Sequence, residues 1–252
     1  MTQSIQNNPS LRGVSCCASQ DHAEPVAKRE DSSLVKRISS FMQGMVEYTA
    51  EVLLDWGRGT DYVCQWIGYS GASSSVKSSA ERVKGVTDRF NLFGVFCEMT
   101  TATRDIMTKQ AENVSQAVNL VGGYIASTAE FSGRLADMNI ISVSKEVSSS
   151  VGTLGAFAEA SLGANGIREG VQDIREGKSV SGAMLKIAKN ISLLAIGTFS
   201  IIAAGFVTLA ASFPKLSVCL LTAATAYLAL KVAQRFHEAL AVSPPPGLAH
   251  SV

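Results

Sequence analysis

The chain of 252 residues has few charges, almost no net charge and no proline over most of its length. Charged residues make up 17% of it, against roughly 25% in ordinary soluble domains. The net charge of +1 gives no electrostatic reason to expect nucleic acid as a partner. Mean hydropathy is nonetheless positive, at +0.20, although only 7% of the residues are aromatic. The excess hydropathy therefore comes from small and aliphatic residues, which excludes a wholly disordered chain and indicates membrane contact.

Residues that build metal, redox or catalytic sites are sparse. The five cysteines are scattered without a C-x-x-C pair, so neither a disulfide framework nor a zinc site is expected. The three histidines show no ligand spacing, and no nucleophile elbow is present. Gly177-Lys178-Ser179 resembles the end of a phosphate-binding loop, but Gln172 stands where that motif needs glycine. We therefore expect no catalytic, cofactor-binding or metal-binding residues, and no enzyme.

Proline is absent between residues 26 and 213, which predicts a mostly helical chain. Apolar residues recur every three or four positions before residue 57, which predicts a helix over about 33–56. Gly57 and Gly59 are expected to end this helix, and the Ser/Gly-rich residues 57–80 to form a linker.

A second long helix is predicted over about 80–122, ending or kinked at Gly122-Gly123. Its apolar residues alternate at spacings of four and three, which is typical of a helical hairpin or coiled coil and offers a surface for a homo-oligomer. This heptad-like stripe consists of Val86, Phe90, Phe93, Cys97 and Thr100 and, after a break at Arg104, of Met107, Ala111, Val114, Val118 and Val121. Further helices are predicted over 124–138, 143–162 and 164–176.

Two apolar stretches near the C-terminus predict a transmembrane hairpin over 186–236. Residues 190–214 carry no charge and, as a helix, would extend about 37 Å, enough for a hydrocarbon core of about 30 Å. Residues 216–230 are again uncharged, and Phe213-Pro214-Lys215 would be a tight connector. The candidate membrane-anchor residues are Ile191, Leu194, Phe199, Ile201, Phe206, Leu216, Leu220 and Tyr227. The alternative is a pair of buried core helices, as in pore-forming toxins before insertion.

The predicted fold class is thus all-α: a helical bundle or an elongated helical hairpin over 33–185, N-terminal to a two-helix transmembrane hairpin. Residues 237–252 are expected to be a disordered tail. Four cations flank the open end of the hairpin, and the connector carries only Lys215. They are Lys186, Lys189, Lys231 and Arg235. Because cytoplasmic flanks carry an excess of Lys and Arg, this bias predicts that both termini lie on the cytosolic side.

Residues 1–32 are polar, lack the apolar region of a secretory signal and are expected to be disordered, with a candidate secretion signal. Cys16 and Cys17 are candidate acylation sites, although unmodified thiols are the simpler interpretation. A polar, signal-less start joined to a bilobed hydrophobic domain with a short turn resembles the chlamydial inclusion membrane (Inc) proteins. The resemblance implies type III secretion, insertion into the host vacuole membrane with both termini in the cytosol, and non-enzymatic binding of host proteins by the helical domain.

Three aromatic residues near the predicted linker are candidates for partner binding or for a belt at the membrane interface. They are Trp56, Trp66 and Tyr69, and burial between helices is their alternative role. The alternative function is a pore-forming or membrane-remodelling protein whose hairpin inserts conditionally, with helix 33–56 binding the interface. The expected partners in either case are the lipid bilayer and, for the first function, host or bacterial proteins, with no nucleic acid.

Overall fold

The computed structural model describes residues 26–205 and 214–242, and within these ranges it contains six α-helices and no β-strand. The helices are α1 Val26–Tyr69, α2 Ser74–Thr108, α3 Val114–Asp137, α4 Lys145–Arg175, α5 Val180–Gly205 and α6 Pro214–Val242. The predicted all-α fold, with two apolar helices after a helical region, is confirmed. The chain divides into two compact units, residues 1–44 and 45–252.

Helices adjacent in sequence pack side by side from α2 through to α6. Helix α1 lies beside α2, where Cys64 Sγ is 3.3 Å from the Ala80 carbonyl oxygen, and also beside α6, where Trp66 Nε1 donates to Thr225 Oγ1 at 3.2 Å. The connections at 70–73, 109–113, 138–144 and 176–179 are short, so the helices that they join are antiparallel. Within the second unit the six helices therefore close into a ring, with the first beside the last.

Helix α1 continues through the two glycines that were expected to end it. A Cβ atom at Gly57 would overlap the Asn91 side chain of α2, and one at Gly59 would lie 3.3 Å from Leu228 Cδ2 of α6. Glycine at these positions lets α1 approach both neighbours, and that packing outweighs glycine's low helix propensity. The predicted end of this helix at Gly57 is wrong. The linker predicted over 57–80 is only a turn at 70–73.

The helix predicted over 80–122 is two helices, α2 and α3, separated by residues 109–113. Asn113 caps α3, because its side chain accepts a hydrogen bond from Gln116 N at 2.9 Å. Helix α3 does not end at Gly122-Gly123, where the buried Gly122 lies against Leu162 of α4. The two helices predicted over 143–162 and 164–176 are the single helix α4.

Both C-terminal helices extend beyond the predicted uncharged arms, since α5 begins at Val180 and α6 ends at Val242. The extensions contain cations that pair with acids on other helices, so they are held in the ring and do not remain as loop or tail. Of the start predicted to be disordered over 1–32, residues 26–32 lie in α1, and of the tail predicted over 237–252, residues 237–242 lie in α6. The connector residue Phe213 and residues 1–25 and 243–252 lie outside the described residues.

The described interior combines small residues with polar ones. Leu54, Val95 and Leu221 are the only buried side chains larger than alanine in its apolar part. Buried polar residues are nearly as numerous: Asp55, Asp61, Thr87, Asn91, Ser127, Asn165 and Asn190. Many large apolar side chains are exposed instead. An apolar exterior of this extent marks a surface that meets lipid or another protein.

Candidate membrane hairpin

Helices α5 and α6 each contain a segment long and apolar enough to cross a bilayer, Val180–Ala204 and Lys215–Ala241. Their 25 and 27 residues correspond to about 37 and 40 Å of helix, against a hydrocarbon core of about 30 Å. Only 11% of the most apolar window in each helix is buried. The core helices of a soluble protein would be mostly buried, so the soluble-core alternative fits poorly. Two candidate membrane-spanning helices thus indicate a membrane-anchored protein.

The predicted anchor residues lie along both helices. Ile191 is 53% exposed. The half-buried or partly exposed ones are Leu194, Phe199, Ile201, Leu216, Leu220 and Tyr227. Phe206 falls outside the described residues.

Helix α5 is fastened to α4 by close contacts at glycines. A Cβ atom at Gly163 would lie 2.6 Å from Leu194 N and 2.9 Å from Asn190 O, which are backbone atoms of α5. One at Gly197 of α5 would lie 2.5 Å from Ala160 N of α4. Small residues that let two backbones approach in this way are typical of helix pairs in membranes. Neither α5 nor α4 could take larger side chains at these positions without moving apart.

Three of the four predicted orientation cations are paired with acids on other helices. Lys186 Nζ of α5 lies 3.2 Å from Glu169 Oε2 and 3.0 Å from Asp173 Oδ2 of α4. The cations of α6 meet α1: Lys231 Nζ lies 2.9 Å from Asp55 Oδ1, and Arg235 Nη1 lies 2.5 Å from Asp55 Oδ2.

Glu51 completes the α1–α6 cluster, with Lys231 Nζ 3.1 Å from its Oε1 and Arg235 also paired to it. Lys189 is half-buried and has no ion pair within the described part of the chain. The sequence analysis identified these cations, but it did not identify the acids that pair with them. The available signal was spacing, because Glu51 and Asp55 lie four residues apart, as do Lys231 and Arg235, and each pair shares one helix face.

The cations of α6 shift the pKa of the Glu51 carboxyl group. Burial raises its pKa, but the charges of Lys231 and Arg235 and the hydrogen bonds from them outweigh burial, so the pKa of Glu51 is lowered from its ordinary value. A lowered pKa in the folded state means that ionised Glu51 stabilises the fold above the unfolded-state pKa, about 4.3. This stabilisation is lost as the pH falls through the folded-state value.

We therefore expect Glu51→Gln to lower the thermal midpoint of the full chain at pH 7 and to make a much smaller difference near pH 3. Both proteins would be melted in the same detergent and followed by far-UV circular dichroism. An equal difference at the two pH values would show that the ion pairs of Glu51 do not stabilise the α1–α6 contact.

A second charge cluster occupies the interior of the ring around Arg58. Its guanidinium is paired with Glu130 of α3 and, at 3.2 Å, with Glu98 of α2. Burial lowers the pKa of Arg58, but the negative charges of Glu130 and Glu98 raise it by more than burial lowers it. The pKa of Arg58 therefore lies well above its ordinary value. Burial raises the pKa of the adjacent Tyr62 to about 12. Glu159 of α4 faces the same charges. Arg58 therefore joins four helices electrostatically.

The described residues, 26–205 and 214–242, contain no group of three His, Cys, Asp or Glu side chains able to hold a metal ion. Arg58, Glu98 and Glu130 are arranged as ion pairs.

The candidate aromatic patch is exposed rather than buried. Trp56 is 63% and Tyr69 53% exposed, so the alternative of burial between helices is wrong for both. Trp66 is 37% exposed and hydrogen-bonds to Thr225 of α6. Trp56 also lines an apolar groove of about 710 Å³ between α1 and α6. The aromatic residues are therefore available to lipid or to a partner.

The apolar residues of the α2 stripe lie at the surface of the ring rather than in its interior, and Phe90 and Phe93 share a groove there with Leu53 of α1. Phe90 is 45% and Phe93 51% exposed. Helix α2 faces α1 instead with small and polar residues, among them Gly94, where a Cβ atom would lie 2.7 Å from Leu54 Cβ. Close approach of α1 and α2 was not foreseeable from apolar spacing alone. Homo-oligomerisation through the stripe stays a prediction.

In comparisons with known proteins, no family model, no curated protein and no solved structure matches the chain.

Proposed function

We propose that the chain is a non-enzymatic, membrane-anchored interaction protein, in which α5 and α6 span a bilayer as a hairpin and the preceding helices bind other proteins. The observation that carries the proposal is the combination of span length, apolar composition and slight burial in both helices. A soluble helical protein would bury such segments, because exposing them to water is unfavourable.

The finer proposal is that the protein is secreted by a type III system and displayed on a pathogen vacuole, where it binds host proteins. It is supported by the resemblance of the hydrophobic domain to Inc proteins. Two spans also place the start of α5 and the end of α6 on the same side of the membrane, as cytosolic termini would require. The exposed groove between α1 and α6 and the stripe of α2 are the candidate surfaces for protein partners.

Alkaline carbonate extraction of membranes from cells that express the full chain tests the anchor. We expect the protein to stay in the pellet, because a spanning hairpin resists treatment that strips peripheral proteins. A matched variant ending at residue 144 retains only α1 to α3 and is expected in the supernatant. Release of the full-length protein would contradict the anchor.

Localisation in infected cells tests the finer proposal separately. A tagged chain expressed in an intracellular bacterium with a type III system should stain the rim of the vacuole. Staining confined to the bacteria would contradict secretion and host display while leaving the anchor intact.

The second candidate function is a pore-forming or membrane-remodelling protein with a conditionally inserted hairpin. It is favoured by the ion pairs that dock α6 on α1, since these could release the hairpin when they break. This function requires a soluble form of the protein that releases dye from liposomes. A protein recovered only in membranes, and silent in that assay, would exclude it.

A further inference from the structure

We propose that α4 is a third lipid-contacting helix, whose outer face around Leu154 and Phe157 meets acyl chains beside the α5–α6 hairpin. This inference rests on the proposed function, because it takes the hairpin as spanning the bilayer. It enlarges the membrane-embedded part of the protein beyond the two helices that composition identifies.

The length of the uncharged part of α4 matches a bilayer. Residues 147–167 contain a single ionisable side chain, Glu159. As a helix these residues extend about 31 Å, close to the hydrocarbon thickness of about 30 Å. Lys145 and Glu146 bound the segment at one end, and Arg168 and Glu169 at the other. Serines and Glu159 lower its hydropathy, which is why composition alone does not mark it as a span.

The register of α4 against α5 brings the two uncharged stretches side by side. Gly163 approaches Leu194 and Asn190, and Gly197 approaches Ala160, so the two helices run antiparallel at close range. Residue 167 of α4 thus lies near the level at which the uncharged stretch of α5 begins.

Just beyond this level, Lys186 is paired with Glu169 and Asp173. The charged residues of both helices therefore begin in the same plane. Two helices whose polar boundaries coincide can occupy one hydrocarbon layer without placing an exposed charge in it.

The outer face of α4 suits acyl chains. Leu154 is 59% and Phe157 54% exposed, and the other exposed positions between 147 and 167 are valine, alanine, glycine or serine. Glu159 is half-buried and faces the interior charges of Arg58 and Glu130. Charged side chains within membranes are found on such interior faces.

Helix α2 provides the contrast. Its exposed face mixes apolar residues with charges, and Glu81, Arg82, Arg89 and Glu98 are all exposed. Helix α2 therefore serves as the water-facing control with which the outer face of α4 is compared.

The test uses three matched Phe→Trp substitutions in a full-length background in which Trp56→Phe and Trp66→Phe remove both native tryptophans. Phe157→Trp reports on α4, Phe199→Trp on α5 and Phe93→Trp on α2. Each protein is reconstituted into phosphatidylcholine vesicles with brominated acyl chains, which quench tryptophan emission only at close range within the hydrocarbon. Unbrominated vesicles give the reference emission, and far-UV circular dichroism verifies the helical content.

We expect bromine to reduce the emission of Phe157→Trp by the same fraction as that of Phe199→Trp, and that of Phe93→Trp by a clearly smaller fraction. Quenching of Phe157→Trp only to the level of Phe93→Trp, with Phe199→Trp strongly quenched, would overturn the role of α4 and leave the hairpin standing. Failure to quench Phe199→Trp would overturn the spanning hairpin and this inference with it. Equal quenching at all three positions would overturn α4 as a distinct lipid face. If Phe157→Trp loses helical content, Leu154→Trp on the same face replaces it.

Discussion

Replacing Asp55 with alanine is expected to lower the free energy of unfolding by about 3 kcal/mol, toward the lower end of the range for breaking a buried ion pair. The side chain of Asp55 is only 7% exposed and receives both Lys231 and Arg235 of α6. Its removal leaves two largely desolvated cations, of which Lys231 is 16% exposed. Glu51 still reaches both cations, and this moderates the loss.

The measurement is chemical unfolding of the full chain in a mild detergent, followed by far-UV circular dichroism. The matched control is Lys109→Ala, which removes an ion pair to Asp105 on the surface of α2, where the lysine side chain is 61% exposed. Exposed pairs of this kind contribute about 0.3–0.5 kcal/mol. If Asp55→Ala and Lys109→Ala have equal effects, the α1–α6 ion pairs do not hold the hairpin to the ring.

The ion pairs of α6 also bear on membrane orientation. The positive-inside argument treats Lys186, Lys231 and Arg235 as uncompensated charges beside the membrane. In the ring, acids of α4 and α1 neutralise all three. Their effect on orientation therefore depends on the hairpin entering the membrane before these contacts form, since a docked hairpin presents few free positive charges. Lys189 has no ion pair in the described part of the chain, so docking leaves it without an acid partner.

The all-α fold and the position of the hairpin could be predicted because both depend on local properties of the sequence. Absence of proline and an uncharged run after Asn190 require no knowledge of distant residues. The ends of the helices could not be predicted in the same way. Gly57 and Gly163 appear as helix breakers in sequence, but in the structure each lies where a neighbouring helix comes too close for a side chain.

The acids of the candidate site could not be predicted for a similar reason. Asp55 is 176 residues from Lys231 in sequence. The four-residue spacing of the acids and of the cations places each pair on one helix face, but it does not show that the two faces meet. The outward direction of Phe93 was likewise hidden, because an apolar stripe predicts a contact without saying whether it lies inside the chain or with lipid or another molecule.

Replacing Gly163 with valine is expected to lower the free energy of unfolding by about 2–3 kcal/mol, as overpacking of a tight contact does. The atoms that a side chain would meet are Leu194 N, at 2.6 Å, and Asn190 O, at 2.9 Å. Backbone atoms of a helix cannot turn aside as the end of a flexible side chain can. Helices α4 and α5 must therefore separate along a contact that Gly166, Gly170 and Gly197 also make at close range.

The matched control for this prediction is Gly152→Val in the same helix, because beyond its own turn of helix no atom lies within 4 Å of a Cβ placed at Gly152. That substitution is expected to change the free energy of unfolding by less than about 0.5 kcal/mol. Both variants would be unfolded in the same detergent as the unmodified chain. Equal effects would mean that valine acts through the propensity of α4 alone. A lower free energy of unfolding for Gly163→Val alone would show that the close approach of α4 to α5 stabilises the hairpin. In a membrane, where lipid removes the hydrophobic driving force between helices, close packing through small residues is what holds helices together.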